Sequence, residues 1–154
     1  MGRIRILLTL AIAVCAITAT ALAATGVASA KSPEANMMHK VNHYRIRHGL
    51  HRVRYSHSLK HSAKKYAWYM MRSQYFGHSR RIHASSRYRR LGEILEYQRG
   101  GRPNVNLAFH TWLRSSPHRA IILDPKFTYA GAGRAWGRFK GHKATLWVMH
   151  FGRP

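Results

Sequence analysis

The sequence predicts an α+β domain, and three observations predict it. Apolar residues recur at helical spacing through most of the chain, the C-terminal part switches to strand-like alternation, and glycines mark the switch. Helices early and a hairpin late give a layered domain of helices packed on a sheet.

Four helical segments come in order. Met37, Val41 and Tyr44 fall at i, i+4, i+7, with Gly49 placed to end the first helix. Leu59, Ala63, Tyr66 and Met70 make the same kind of stripe, after Ser56 or Ser58 as the cap. Val105, Ala108, Trp112 and Leu113 share one face of a third helix that opens near Pro103-Asn104. A short fourth piece, His118 to Leu123, follows Pro117 and stops before Pro125, because proline suits a helix start and cannot continue one.

The period then changes. Phe127 to Trp136 carries Gly131 and Gly133 among small residues, as in a strand that another backbone approaches closely. Gly137 to Lys143 reads as a Gly-rich turn. From Ala144 to Phe151, Leu146 and Val148 alternate with Trp147, Met149 and Phe151, so large apolar groups fall on both faces. Such a strand is expected to be buried on both sides.

Residues 1–30 have the parts of a secretory signal. Arg3 and Arg5 precede an uncharged run from Ile6 to Ala24, and Ala28-Ser29-Ala30 offers a small-x-small cleavage site before Lys31. The run is just long enough to span a bilayer, but its small residues and the cleavage motif favour release. Cys15 lies inside the run behind Val14, where a lipoprotein signal needs a small residue, and it leaves with the signal. Residues 31–154 are then one cysteine-free domain held by packing alone, exported and free of a membrane span after cleavage.

Charge narrows the partners. Of 27 Lys and Arg, Arg3 and Arg5 leave with the signal; 25 remain against 4 acids, a net +21. All 12 histidines lie in residues 31–154, so acidification drives the charge toward +33. Such a surface attracts phospholipid headgroups, wall polymers and nucleic acid alike.

Only Glu34, Glu93, Glu96 and Asp124 carry negative charge in this part. Glu34 suits the first turn of a helix, Asp124 a turn before Pro125, and Glu96 a surface pair with an arginine. Glu93 sits among Leu91, Gly92, Ile94 and Leu95, and a carboxylate there needs a cation or histidine as partner. Two histidines have distinctive settings: His78 after Tyr75-Phe76-Gly77, and His118 after Ser115-Ser116-Pro117. Neither belongs to a local metal motif.

The run of these features resembles the bacterial branch of the CAP superfamily, or SCP domain (cysteine-rich secretory proteins, antigen 5, pathogenesis-related 1). The residues that carry the likeness are Asn42, Arg45 and His48-Gly49-Leu50, then Leu59, Ala63, Ala67 and Met70, then Phe76-Gly77-His78-Ser79. Gly92-Glu93, Trp112 to Arg119, Ile122-Leu123 and Gly131-Ala132-Gly133 follow in the same order.

The resemblance implies a three-layer α-β-α sandwich and a cleft lined by two histidines and two glutamates that holds a divalent cation in some members. His78, Glu93 and His118 match three of the four, and they are the candidate catalytic residues. Ser115 and Ser116 are expected to line the cleft, and no acid stands near Ser115 for the fourth place. Ile94 replaces a usual asparagine, and His150 stands where an aspartate is frequent. With two imidazoles and no second carboxylate, no cofactor is required, and a divalent cation such as Zn²⁺ at His78 and His118 would be weak and exchangeable. The expected function is binding at the cell envelope, to lipid or anionic polymer. The alternatives are a hydrolase using His78, Glu93 and His118 around a metal-bound water, with Ser115 or Ser116 as nucleophile, or a charge-driven nucleic-acid binder.

Overall fold

A computed structural model describes residues 31–154, so the expected signal segment and Cys15 lie outside the described residues. The elements run α1 (Pro33–Arg47), β1 (Arg54–Tyr55), α2 (His57–Ser73), β2 (Arg90–Arg99), α3 (Val105–Arg114), α4 (Ser116–Leu123), β3 (Tyr129–Phe139) and β4 (His142–Arg153).

Each long helix starts on a side-chain cap. The hydroxyl of Ser32 accepts from Ala35 N–H, that of Ser56 from Leu59 N–H, and the Asn104 carbonyl oxygen from Leu107 N–H. Pro33 and Pro117 occupy the first turns of α1 and α4, where a missing N–H costs nothing. The fourth helix therefore begins at Ser116, two residues ahead of the expected start.

The sheet has the order β1-β3-β4-β2. β4 pairs antiparallel with both β3 and β2, and β1 joins β3 in parallel. Leu146 and Val148 face α2, packing with Ala63, Ala67 and Met70. Trp147, Met149 and Phe151 face the other way, packing with Met37, Val41, Trp112 and Ile122 of α1, α3 and α4. The strand is thus buried on both sides, as its alternation predicts, and the layers are α2, the sheet, and the three remaining helices.

Gly131 and Gly133 let α2 ride on the sheet. A Cβ at either position would meet the backbone of Leu59–Lys60 or Ala63–Lys64, which is the close approach that the small residues of β3 foretell. The turn after β3 is tighter than the expected Gly137–Lys143 loop. Lys140 and Gly141 both have positive φ, 46° and 84°, as a two-residue hairpin turn that matches strand twist requires.

Two elements were not anticipated. β2 reads poorly because its burial does not alternate. β1 has two residues and exists only through its pairing with β3.

Arg45 ties the helical layer together. It is fully buried, and its guanidinium donates to the carbonyls of His51, Ile122, Asp124 and Phe127. Burial, partly offset by the Asp124 charge, lowers its pKa.

Candidate functional site

The site forms where edge strand β2 meets β4 under the N-terminal half of α2. Antiparallel pairing sets Glu93 opposite His150. Both side chains lie on the α2 face, and the segment after α2 brings His78 above them. Tyr66 of α2 pins that segment, its hydroxyl donating to the Gly77 carbonyl at 2.6 Å. Burial first, then the Glu93 charge and the neighbouring tyrosines, push the Tyr66 phenol up to about 12, so it stays a neutral donor.

Glu93 is saturated. Its Oε1 accepts from His78 Nδ1 at 2.9 Å and from Ser79 N–H at 2.8 Å, and its Oε2 accepts from His150 Nε2 at 2.9 Å. Burial pushes this carboxyl up most strongly of any single cause. The bonds from His150 and Ser79, the His150 charge and the His78 bond together outweigh it, holding Glu93 below the usual carboxylate value. An ionised carboxylate only accepts, so His78 presents Nδ1–H and His150 presents Nε2–H. His150 is fully buried, and its Nδ1 meets the Ser62 hydroxyl at 3.0 Å. His78 is exposed, and its Nε2 remains open.

His118 reaches the same place from α4, in the opposite layer. Its ring centroid lies 6.4 Å from that of His78. Its Nδ1 is buried with no hydrogen-bond partner among the described residues, and burial, then the His78 charge, lowers its pKa. The structure thus brings His78, Glu93 and His118 into one neighbourhood, although only His78 bonds to Glu93. The other imidazole on that carboxylate is His150, which sequence reasoning flagged only as a departure from the family pattern. Its even-numbered place beside Leu146 and Val148 was the available signal, but its partner depends on the β2–β4 register.

Ser115 and Ser116 lie at the junction of α3 and α4. Ser115 joins α3 to α4, its N–H donating to Thr111 and Trp112 carbonyls and its carbonyl accepting from Arg119 N–H. Ser116 opens α4 on the surface. No hydrogen bond links either hydroxyl to His118 among the described residues. The cavity beside His78 opens instead on the α2 side. It measures about 800 Å³ and is lined by Ser62, Lys65, three tyrosines, His150 and the Ser79–His83 segment.

The remaining acids resolve clearly. Glu34 pairs with Arg134 at 2.8 Å, and Asp124 with Arg90 at 2.8 Å while also accepting from Lys126 N–H. Glu96 differs from the expected surface pair. It is half-buried without an ion pair among the described residues, and burial, only partly countered by Arg114, pushes its carboxyl up to about 7.

A cation would have to use His78 and His118. Two imidazoles on one tetrahedral Zn²⁺, at about 2 Å from nitrogen to metal, bring their ring centroids to roughly 5 Å. The observed separation is wider, so the rings must pivot inward. Among the described residues no three His, Cys, Asp or Glu are grouped to hold a metal. This donor set fits a two-imidazole site completed by water, and nothing tighter.

The fold has known counterparts. An outer surface protein of Borrelia burgdorferi superposes with a TM-score of 0.65 at 16% identity, over 80% of this chain and 93% of that one. An extracellular protein containing an SCP domain from Bacillus anthracis gives 0.62 at 19%, over 79% of this chain and 40% of its own. Venom allergen-like protein 4 of Schistosoma mansoni gives 0.57 at 14%, over 77% and 84%. These likenesses show the fold. Among curated proteins nothing matches. No described helix is long and apolar enough to cross a membrane. The sequence profile of the CAP family, described as the cysteine-rich secretory protein family, matches residues 38–151, and the chain belongs to that family.

Proposed function

We propose that this protein is an exported CAP domain that works by binding anionic components of the cell envelope, polymer or lipid, without catalysing a reaction. The observation that carries this reading is the imbalance of charge. Three of the four acids in residues 31–154 are held by cations or histidines, and Glu96 is half-buried. Arg90 and Arg134 are the only Lys or Arg side chains in ion pairs among the described residues. Most of the 25 cations therefore face solvent without an acidic partner, and a phosphate-bearing surface satisfies them with release of its counterions. The relatives described as outer-surface and extracellular proteins are in keeping with this location.

His78 and His118 add a weak place for a divalent cation such as Zn²⁺. The unpartnered, buried Nδ1 of His118 supports it, and a bound cation would supply Lewis acidity there. Glu93 orients His78 through Nδ1 and leaves Nε2 to face an incoming ligand.

Co-sedimentation with vesicles rich in phosphatidylglycerol, and with a phosphate-bearing wall polymer, tests the reading. Adsorption is expected at about 50 mM salt and is expected to fall steeply by about 500 mM. Single-stranded DNA serves as the competing class, and a preference for it over both envelope surfaces at equal phosphate would replace this reading. No adsorption at the lower salt would overturn it.

A further inference from the structure

The α2-side cavity has a composition that general surface charge does not explain. Its basic groups are Lys65, Arg80 and Arg81, and none has a hydrogen-bond or ion-pair partner among the described residues. The acid near its floor is Glu93, both of whose oxygens are taken by donors. The Ser79 hydroxyl at the wall is buried and has no partner among the described residues. The wall thus carries three cations and one hydroxyl without partners among the described residues, a donor set with no acceptor supplied by the fold.

The remaining wall is aromatic. Tyr66 and Tyr69 stack at 5.8 Å with an interplanar angle of 18°. Tyr69 and Tyr75 are 52% and 50% exposed, although they are large rings that a folded domain normally covers. Both line the same cavity as the cations. An extended strand needs a long groove, whereas a cavity of about 800 Å³ suits one compact ligand.

We infer that this cavity is a specific subsite for a ring compound bearing a phosphate group, the phosphate held by Arg80, Arg81, Lys65 and the Ser79 hydroxyl and the ring stacked on Tyr69 and Tyr75. A phosphate offers three acceptor oxygens and pairs well with arginine forks. The inference rests on the envelope-binding reading and sharpens it. The whole surface collects anionic polymer, and this cavity selects a phosphorylated unit. Two sources share the chemistry, a sugar phosphate of an envelope polymer and a nucleotide.

Calorimetry on residues 31–154 at about 150 mM salt, where non-specific phosphate contacts are weakened, separates the outcomes. The probes are glucose 6-phosphate, adenosine monophosphate, inorganic phosphate and glucose. At least one phosphorylated ring is expected to bind ten-fold or more tightly than inorganic phosphate, with no measurable heat from glucose. Whether the sugar or the nucleotide binds more tightly assigns the source. Arg80→Ala/Arg81→Ala is expected to weaken binding at least ten-fold, and Tyr69→Ala about five-fold. Arg99→Ala/Arg102→Ala removes equal charge elsewhere and is expected to change it less than two-fold. All of these positions are exposed, and circular dichroism checks that the fold is intact. Inorganic phosphate binding as tightly as both rings, or equal losses in the two arginine double variants, would overturn the inference. Vesicle adsorption that persists in that case leaves the envelope reading standing, so the two fail separately.

Discussion

Glu96 offers the sharpest test of the energetics, because its effect on stability should change with pH while that of Glu93 should differ in sign. Burial raises the Glu96 carboxyl from an ordinary 4.5 to about 7 in the fold. The protonated form is therefore the one the fold prefers. Stability from this group is greatest below pH 4.5, declines as pH rises toward 7, and is level above that. The shift corresponds to about 3 kcal/mol at about 1.4 kcal/mol per pH unit, and partial exposure reduces it to about 1–2 kcal/mol. Glu96→Gln, which cannot ionise, should therefore stabilise the protein by about 1–2 kcal/mol near pH 8 and leave it unchanged near pH 4. Glu93 works in the opposite direction. Its folded pKa is held down, so its contribution is present above the unfolded value and is lost as pH falls through the folded one. Glu93→Gln should cost about 3–5 kcal/mol near pH 7, since His78, His150 and Ser79 N–H lose a charged acceptor. Urea unfolding of both variants at about pH 4, 6 and 8 measures this. A Glu96→Gln effect that is the same at the two extremes would refute the assignment of Glu96 as a half-buried, unpaired carboxyl.

Three further outcomes are expected. Arg45→Met should lower stability by about 3–5 kcal/mol in urea unfolding, because four carbonyls lose a charged donor inside the helical layer. Gly131→Ala should cost about 2–3 kcal/mol, since its Cβ meets the α2 backbone at Leu59–Lys60 and the helix must lift, whereas Gly101→Ala, with only the Lys143 side chain nearby, should be tolerated in the same thermal melt. Intact-mass measurement of protein from culture supernatant should give a chain beginning at Lys31; a membrane-bound chain still carrying residues 1–30 would contradict export.

How far the sequence could be read follows from where each signal resides. Helices α1 to α4 were legible because caps and periodic apolar residues are local: Ser32, Ser56 and Asn104 each serve the turn that follows them. β4 was legible because its alternating large residues are too bulky for anything but a strand covered twice. β2 was not, since Leu91 to Gln98 mixes apolar and polar residues without alternation, and its strand state comes from ten-residue pairing with β4. The same pairing decides the site. His78 and His118 stood out by resemblance to a family pattern, whereas His150 became the second imidazole on Glu93 only through the register that sets them opposite. Glu96 looked like a surface residue for the same reason, because nothing local shows that its strand lies under α3 and α4.

The ligand preference of the cleft follows from which charges lie within reach of it. At 0.1 M salt the Debye length is about 10 Å, so most of the net +21 is screened from a ligand at the floor. What remains is the local set. A divalent cation at His78 finds His118 as the other imidazole, no free carboxylate among the described residues, and Lys65, Arg80 and Arg81 around the adjoining cavity. An anion finds the same three cations attractive, a hydroxyl without a partner among the described residues, and a carboxylate whose two oxygens are already hydrogen-bonded. On the proposed reading, with no acid free near His78 and His118 among the described residues, these residues suit an anion better than a cation, and Glu93 serves to hold His78 and His150 in place. The preference has a measurable signature. Polymer adsorption uses many cations at once and should fall steeply with salt, whereas a single phosphorylated ligand uses about three and should fall far less over the same range.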